Sequence, residues 1–360
     1  MNRKFVDVNM VAAKNKETGI LWHKVDCSNM DLYGTDVSVI DSITSRIPEN
    51  VAQKCNPGIM EQCNYSAGVR LRFGTDSRTI CIRAEYGKHH DSICMSLCAT
   101  FGFDLYKCED DGHEVFRHMF RPPLDFDKKN LCNDPYIVKD EGFTYYTLYF
   151  PIYSEIESLY IGVEDGSTFT NGTKYINELP VIFYGSSITH GAVASRPGNI
   201  YEGFISQKYN LNYVNLGFGG SAKGEEEMAE YIAGRKMIAF VCDYDYNAPS
   251  EEHLEKTHYR FYEIIRKKNP HIPYIMISRP NFYYDVKTAE ARRNIIIESY
   301  KRALQSGDTN VYFIDGETLL QGEFMESCTL EGLHPNDMGF HRMADRVGSV
   351  LKEIIAGIDL

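Results

Sequence analysis

The chain has no long hydrophobic run. No stretch approaches the roughly 18–20 apolar residues that span a bilayer, so no membrane-spanning helix is expected. Basic residues are in deficit: Lys and Arg number 38 against 50 Asp and Glu, for a formal net charge of −12. That balance opposes binding to nucleic acid or to an anionic membrane surface, both of which attract cations. Residues 1–10 include Arg3 and Lys4, but no apolar core precedes Lys14. A signal peptide is therefore not expected there, and a cytoplasmic location is. Of ten cysteines, Cys94 and Cys98 are separated by three residues, and no second close pair completes a zinc site. Reduced structural thiols are expected, with disulfides the reading for an exported protein. Neither a metal nor a cofactor is expected. No G-x-S-x-G elbow occurs, which argues against an α/β-hydrolase fold. Internal repeats and low-complexity segments are also absent.

What is present divides the chain. A length of 360 residues exceeds one compact core and suggests two domains. Up to about residue 165, short β-rich stretches recur between turns: 69–73, 79–84, 143–150 and 158–163. Their alternation and aromatic content predict strands with one buried face, as in a β-sandwich. Residues 166–173 read as a linker. Beyond it, apolar β-branched strands at 181–184, 213–216, 238–242, 274–278 and 311–314 alternate with helical stretches. Those run over 200–209, 225–233, 251–268, 288–305 and 338–355. Such alternation predicts a parallel sheet covered by helices on both faces. Ligands of such sheets bind beyond the carboxyl ends of the strands.

Chemistry-bearing residues collect at those ends. The first strand runs into Gly185-Ser186-Ser187-Ile188-Thr189, the second into Asn215-Leu216-Gly217-Phe218-Gly219-Gly220, and the third into Asp243 through Asn247. The loop after the fifth carries Glu331-Gly332-Leu333-His334. Acyl transfer needs a nucleophile, a base, an orienter for the base and donors for an oxyanion. All four residue types are here.

These residues resemble the GDSL/SGNH hydrolase superfamily. Gly185–Thr189 is similar to its first block, which implies Ser187 as nucleophile. Gly220 and Asn247 match the oxyanion donors of the second and third blocks, alongside the Ser187 amide. Glu331 and His334 match the acid and base of the last. Gly102-Phe103-Asp104-Leu105-Tyr106 is similar to the GxDLY motif of a branch with a β-sandwich before the hydrolase domain. The resemblance implies a flavodoxin-like three-layer α/β/α domain with five parallel strands over 176–360. An all-β, jelly-roll-like sandwich domain is implied over 1–175. Two positions depart from the family pattern. Ser186 stands where Asp is usual, and Glu331 replaces the usual Asp. Glu is one methylene longer, so either it orients His334 from a different rotamer or a Ser–His dyad remains.

Each residue also has a plainer reading. Ser187 fits a helix N-cap, His334 before Pro335 a surface turn, and Asn247 an Asx-turn. Gly217, Gly219 and Gly220 fit a tight turn. Their order on separate strand ends favours chemistry. Gly217–Ala222 also fits a dinucleotide G-x-G-x-x-A, but Glu225, Glu226 and Glu227 crowd the next helix start, where a pyrophosphate needs positive potential. His113 and His118 resemble a zincin pair with one residue too many. On a helix they would stand about 500° apart rather than 400°.

The expected function is a serine esterase acting on a small ester, an O-acetyl carbohydrate before others. An acyltransferase with the same acyl-enzyme and a non-catalytic glycan-binding protein are the alternatives. Arg196, Tyr201 and Tyr244 are candidates for the substrate pocket or, equally, packing residues. The oligomeric state is open.

Overall fold

The computed structural model describes residues 19–357, except residues 29, 37, 39–41, 133–135, 281–282 and 284. The reading of residues 1–10 lies outside the described residues. Two antiparallel sheets make the N-terminal sandwich. One orders strands Ile20–Lys24, Ser154–Glu164, Thr79–His89 and Asn130–Cys132. The other orders Phe169–Asn171, Arg70–Thr75, Thr144–Tyr149, Phe103–Cys108 and Glu114–Phe120. Val69, Leu71, Phe73, Ile80, Ile82 and Leu148 fill the space between the sheets.

The other face of strand Arg70–Thr75 was expected to meet solvent. Instead Arg70 and Arg72 are buried against the second half of the chain. The Arg70 guanidinium donates to Asn212 Oδ1 at 3.0 Å and the Tyr213 carbonyl at 3.1 Å. Arg72 donates to Glu114 at 2.7 Å and Asn210 Oδ1 at 2.8 Å. Buried guanidinium groups need such partners, because an unpaired one costs several kcal/mol.

The second half is a parallel sheet of β1 (Val181–Gly185), β2 (Tyr213–Gly217), β3 (Ala239–Asp243), β4 (Tyr274–Ile277) and β5 (Val311–Ile314). Its order is β2-β1-β3-β4-β5, the flavodoxin-like doubly wound arrangement. Both faces of β1 are covered, as its unbroken apolar run requires. Val181 and Phe183 join the layer of α2 (Tyr201–Tyr209) and α6 (Asp337–Ala356). Ile182 and Tyr184 join the layer of α3 (Glu226–Ala233), α4 (Glu251–Lys268) and α5 (Val286–Gln305). Among the described residues no helix is long and apolar enough to cross a membrane.

Two short helices, Glu49–Cys55 and Pro57–Gln62, interrupt the β-rich half and were not expected. Asn56 caps the second by accepting from the Gly58 and Ile59 amides at 3.0 Å, with Pro57 in its first turn. This is the cap-then-proline start that helices favour. Ile47, Ala52, Ile59 and Cys63 pack with Met228, Ala229 and Ile232 of α3. These helices therefore serve the hydrolase half, although they precede it by more than a hundred residues.

Candidate active site

Strand β1 pairs with both β2 and β3, setting Gly185 opposite Gly217 and Asp243. Three strand ends thus meet at the point where the strand order reverses. A Cβ on Gly185 would stand 2.0 Å from Thr189 Oγ1 and 2.4 Å from the Asp243 carbonyl, so only glycine fits. The helix α1 (Ser187–His190) starts at once. Its cap is Ser186, whose hydroxyl accepts from the Ile188 amide at 3.1 Å. Ser186 does the capping, and the Ser187 hydroxyl faces His334 Nε2 at 2.9 Å.

His334 lies on a loop pinned at both ends. Thr329 and Pro335 form a bridge, and the Leu330 amide donates to the His334 carbonyl at 3.0 Å. Asn336 then caps α6 through the Met338 amide at 3.0 Å. Glu331, three residues before the histidine, hydrogen-bonds His334 Nδ1 through Oε1. The longer acid therefore reaches the ring within its own loop, and Ser187, His334 and Glu331 form one hydrogen-bonded line.

Opposite them is the turn after β2. Gly220 has φ +67°, in the left-handed region where glycine is favoured. Among the described hydrogen bonds, neither the Gly220 nor the Ser187 amide has a partner. Asn247 donates one amide hydrogen to the Phe218 carbonyl at 2.8 Å, leaving the second for another acceptor. Its turn is held by Asp245, which takes Arg279 at 3.2 Å and Arg292 at 3.3 Å.

Of the two readings open for Tyr244, Tyr201 and Arg196, the structure gives them packing contacts. Tyr244 is 1 % exposed and stacks on His258, with its hydroxyl bonded to Thr257 at 2.8 Å. It follows the period-2 alternation of β3 into the layer away from the serine. Tyr201 is fully buried edge-on to Phe183, so it is a core residue. Arg196 turns to the sandwich, donating to Asp104 at 2.9 Å and the Tyr106 hydroxyl at 2.6 Å. The Gly198 amide also donates to Asp104, at 2.8 Å. The GxDLY residues thus bind the loop that follows α1. Burial pushes the Asp104 carboxyl up to about 6, with Arg196 and the Gly198 amide pulling the other way.

Three residues that sequence reasoning missed come from the first half of the chain. Arg46, fully buried, donates to the carbonyls of Asn215 at 3.1 Å, Gly217 at 2.8 Å and Gln62 at 2.8 Å. Gln62 in turn donates to the Gly219 carbonyl at 3.0 Å. Tyr153 stacks on His190 with centroids 4.0 Å apart. Burial holds the His190 pKa well below the ordinary imidazole value, so this histidine is neutral. Burial likewise raises the Asp243 and Glu202 carboxyls behind the α1 turn well above the usual carboxylate range. No local sequence signal marks Arg46 or Gln62, whose partners in the turn after β2 lie more than 150 positions away.

The arrangement suits acyl chemistry, and comparison with known proteins gives it a class. A GDSL-like lipase/acylhydrolase family model matches residues 178–352. A GxDLY model, the N-terminus of SGNH-hydrolase-type esterases, matches residues 20–169. The protein is a carboxylic ester hydrolase. The chain belongs to the GDSL/SGNH hydrolase family, in the branch with an N-terminal GxDLY sandwich. A structure from Bacteroides ovatus described as a GDSL-like lipase is 26% identical, with TM-score 0.83 over 94% of this chain and 98% of that one. The salicylyl-acyltransferase SsfX3 of a tetracycline biosynthetic pathway shares the fold at 19% identity and TM-score 0.73, over 95% and 98% of the two chains. So does an acetyl xylan esterase from Butyrivibrio proteoclasticus, at 14% and 0.57 over 94% and 99%. No curated protein matches the sequence.

Proposed function

We propose that the protein removes an acetyl group from a carbohydrate ester through an acyl-enzyme on Ser187. The observation that carries this reading is the 2.9 Å contact between Ser187 Oγ and His334 Nε2, with Glu331 on the other ring nitrogen. His334 takes the hydroxyl proton as Oγ attacks the ester carbonyl carbon. Glu331 accepts from Nδ1–H and so holds the tautomer that leaves Nε2 free to act as base. The tetrahedral oxyanion is received by the Ser187 and Gly220 amides and the second amide hydrogen of Asn247. Each such donor contributes about 3–4 kcal/mol to the transition state. His334 returns the proton to the departing alcohol. Water, deprotonated by the same ring, then releases the acid and restores Ser187.

The acetyl and carbohydrate parts rest on the attached sandwich and on the acetyl xylan esterase that shares this architecture. That is an argument from fold. A panel of acetylated sugars, longer acyl esters and alcohol acceptors tests it. Free acetate from acetylated sugars, dependent on Ser187, is expected. Faster turnover of long-chain esters, or acyl transfer to an added alcohol in preference to water, would replace the reading.

A further inference from the structure

Ser187 and His334 are joined by two routes. One is the bond from Ser187 Oγ to His334 Nε2. The other runs through the chain on either side of it. The Ser187 carbonyl accepts from the Gly191 amide at 3.0 Å and the Ala192 amide at 2.9 Å, so the segment leaving α1 folds back on the peptide group of the serine. Ser195 follows, and Asp337 grips it. The Ser195 amide donates to Asp337 Oδ1 at 2.8 Å and its hydroxyl to Oδ2 at 2.5 Å. Asn199 donates to the same Oδ2 at 2.7 Å. Asp337 is the first residue of α6, three residues after His334. The residues between them are fixed in turn: Pro335 is bridged to Thr329, and the Asn336 amide donates to the Cys328 carbonyl at 2.9 Å. A second observation concerns Val193, which lies between the two grips with φ +72°. A left-handed backbone is costly for a β-branched residue and persists only where the surroundings impose it. On the sandwich side, Asp104 holds Arg196 and Gly198. Residues 195–199 are thus gripped by carboxylates from both halves of the chain.

We infer that Asp337 is a positioning residue: by holding residues 195–199 it sets the separation of Ser187 Oγ from His334 Nε2. The inference rests on the reading of Ser187 as nucleophile and His334 as base. Among the described hydrogen bonds Asp337 has none to either residue, so its effect passes through the backbone on both sides. Reacting groups must be held within about 0.5 Å of their working geometry. A misplacement of about 1 Å costs about 100-fold in rate.

Asp337→Ala removes all three bonds at a half-buried position. Turnover of 4-nitrophenyl acetate and the urea midpoint are measured on the full chain. A fall in kcat of at least about tenfold is expected, with KM within about threefold, because no group proposed to face the substrate is altered. Acting through the base, Asp337→Ala should cost less than about twofold when added to His334→Ala, whose residual turnover rests on the oxyanion donors. A loss by the same factor in both backgrounds would show a general loosening of the fold and overturn the positioning role. So would a lower urea midpoint with wild-type kcat. Ser195→Ala removes only the hydroxyl bond and carries the comparison if Asp337→Ala does not fold. It should lower kcat with KM kept, and cost nothing further in His334→Ala; wild-type kcat, or an equal loss in both backgrounds, would again overturn the role. Failure of the underlying reading has a different signature. Wild-type turnover in Ser187→Ala or His334→Ala removes the pair itself, whereas with both strongly slowed only the part played by Asp337 is at stake.

Discussion

Arg46 is the most consequential residue outside the proposed catalytic line. Its guanidinium holds the Asn215 and Gly217 carbonyls and the Gln62 carbonyl, and it lies 4.6 Å over the Phe218 ring. Gly217 and Phe218 are the residues that lead into Gly219 and Gly220. Replacing Arg46 with Met keeps most of the volume and removes three charge-assisted bonds. Bonds to charged donors contribute about 1.5–3 kcal/mol each. Relief of the buried charge offsets part of that loss, and burial already pulls the Arg46 pKa down to about 10. The net expectation is a destabilisation of about 3 kcal/mol, read as a lower urea midpoint at unchanged slope. With the turn released, the Gly220 amide loses its fixed direction. Loss of one oxyanion donor costs about 10²–10³ in kcat, so a fall of about tenfold or more is expected with KM little changed. Arg46→Lys, which keeps the charge but not the fork, should recover part of the stability and little of the rate. A variant with wild-type kcat and midpoint would refute the view that the first half of the chain sets the oxyanion turn.

Two further outcomes follow from the same geometry. Glu331→Gln keeps the length of the side chain but takes the charge from the His334 ring, and kcat should fall about 10²-fold or more without loss of folding; unchanged turnover would show that the ring needs no carboxylate. Asp104 is buried with its pKa raised to about 6, so the folded state binds a proton more tightly than the unfolded chain does. Its stabilising effect is present below the ordinary carboxylate range and is lost as pH rises through about 6, by about 3 kcal/mol. Denaturation curves of Asp104→Asn should be flatter than wild type between pH 4 and 6, and parallel curves would contradict the assignment.

Sequence and structure agree best where the physics is local. The strands of the parallel sheet are buried on both faces and read as apolar runs, as at β1, where Val181, Ile182, Phe183 and Tyr184 alternate between two cores. The helix α4 spans the residues its periodicity predicts, Glu251–Lys268. The line of Ser187, His334 and Glu331 was legible because each residue sits at a strand end or in one loop. What failed was direction and distance. Tyr244 stands one residue beyond Asp243, and its side chain turns away with the pleat. Arg196 looked like a pocket cation because its partner, Asp104, lies 92 positions earlier. Arg46, Gln62 and Tyr153 carry no motif, and only the packing of the first half on the second brings them to the serine.

The central claim is that Ser187 is the nucleophile activated by His334. The most direct measurement is covalent labelling with a fluorophosphonate followed by peptide mass spectrometry. A single adduct on Ser187, absent from Ser187→Ala and strongly slowed in His334→Ala, is the expected result. An adduct on another residue, or ester turnover surviving in Ser187→Ala, would contradict the account.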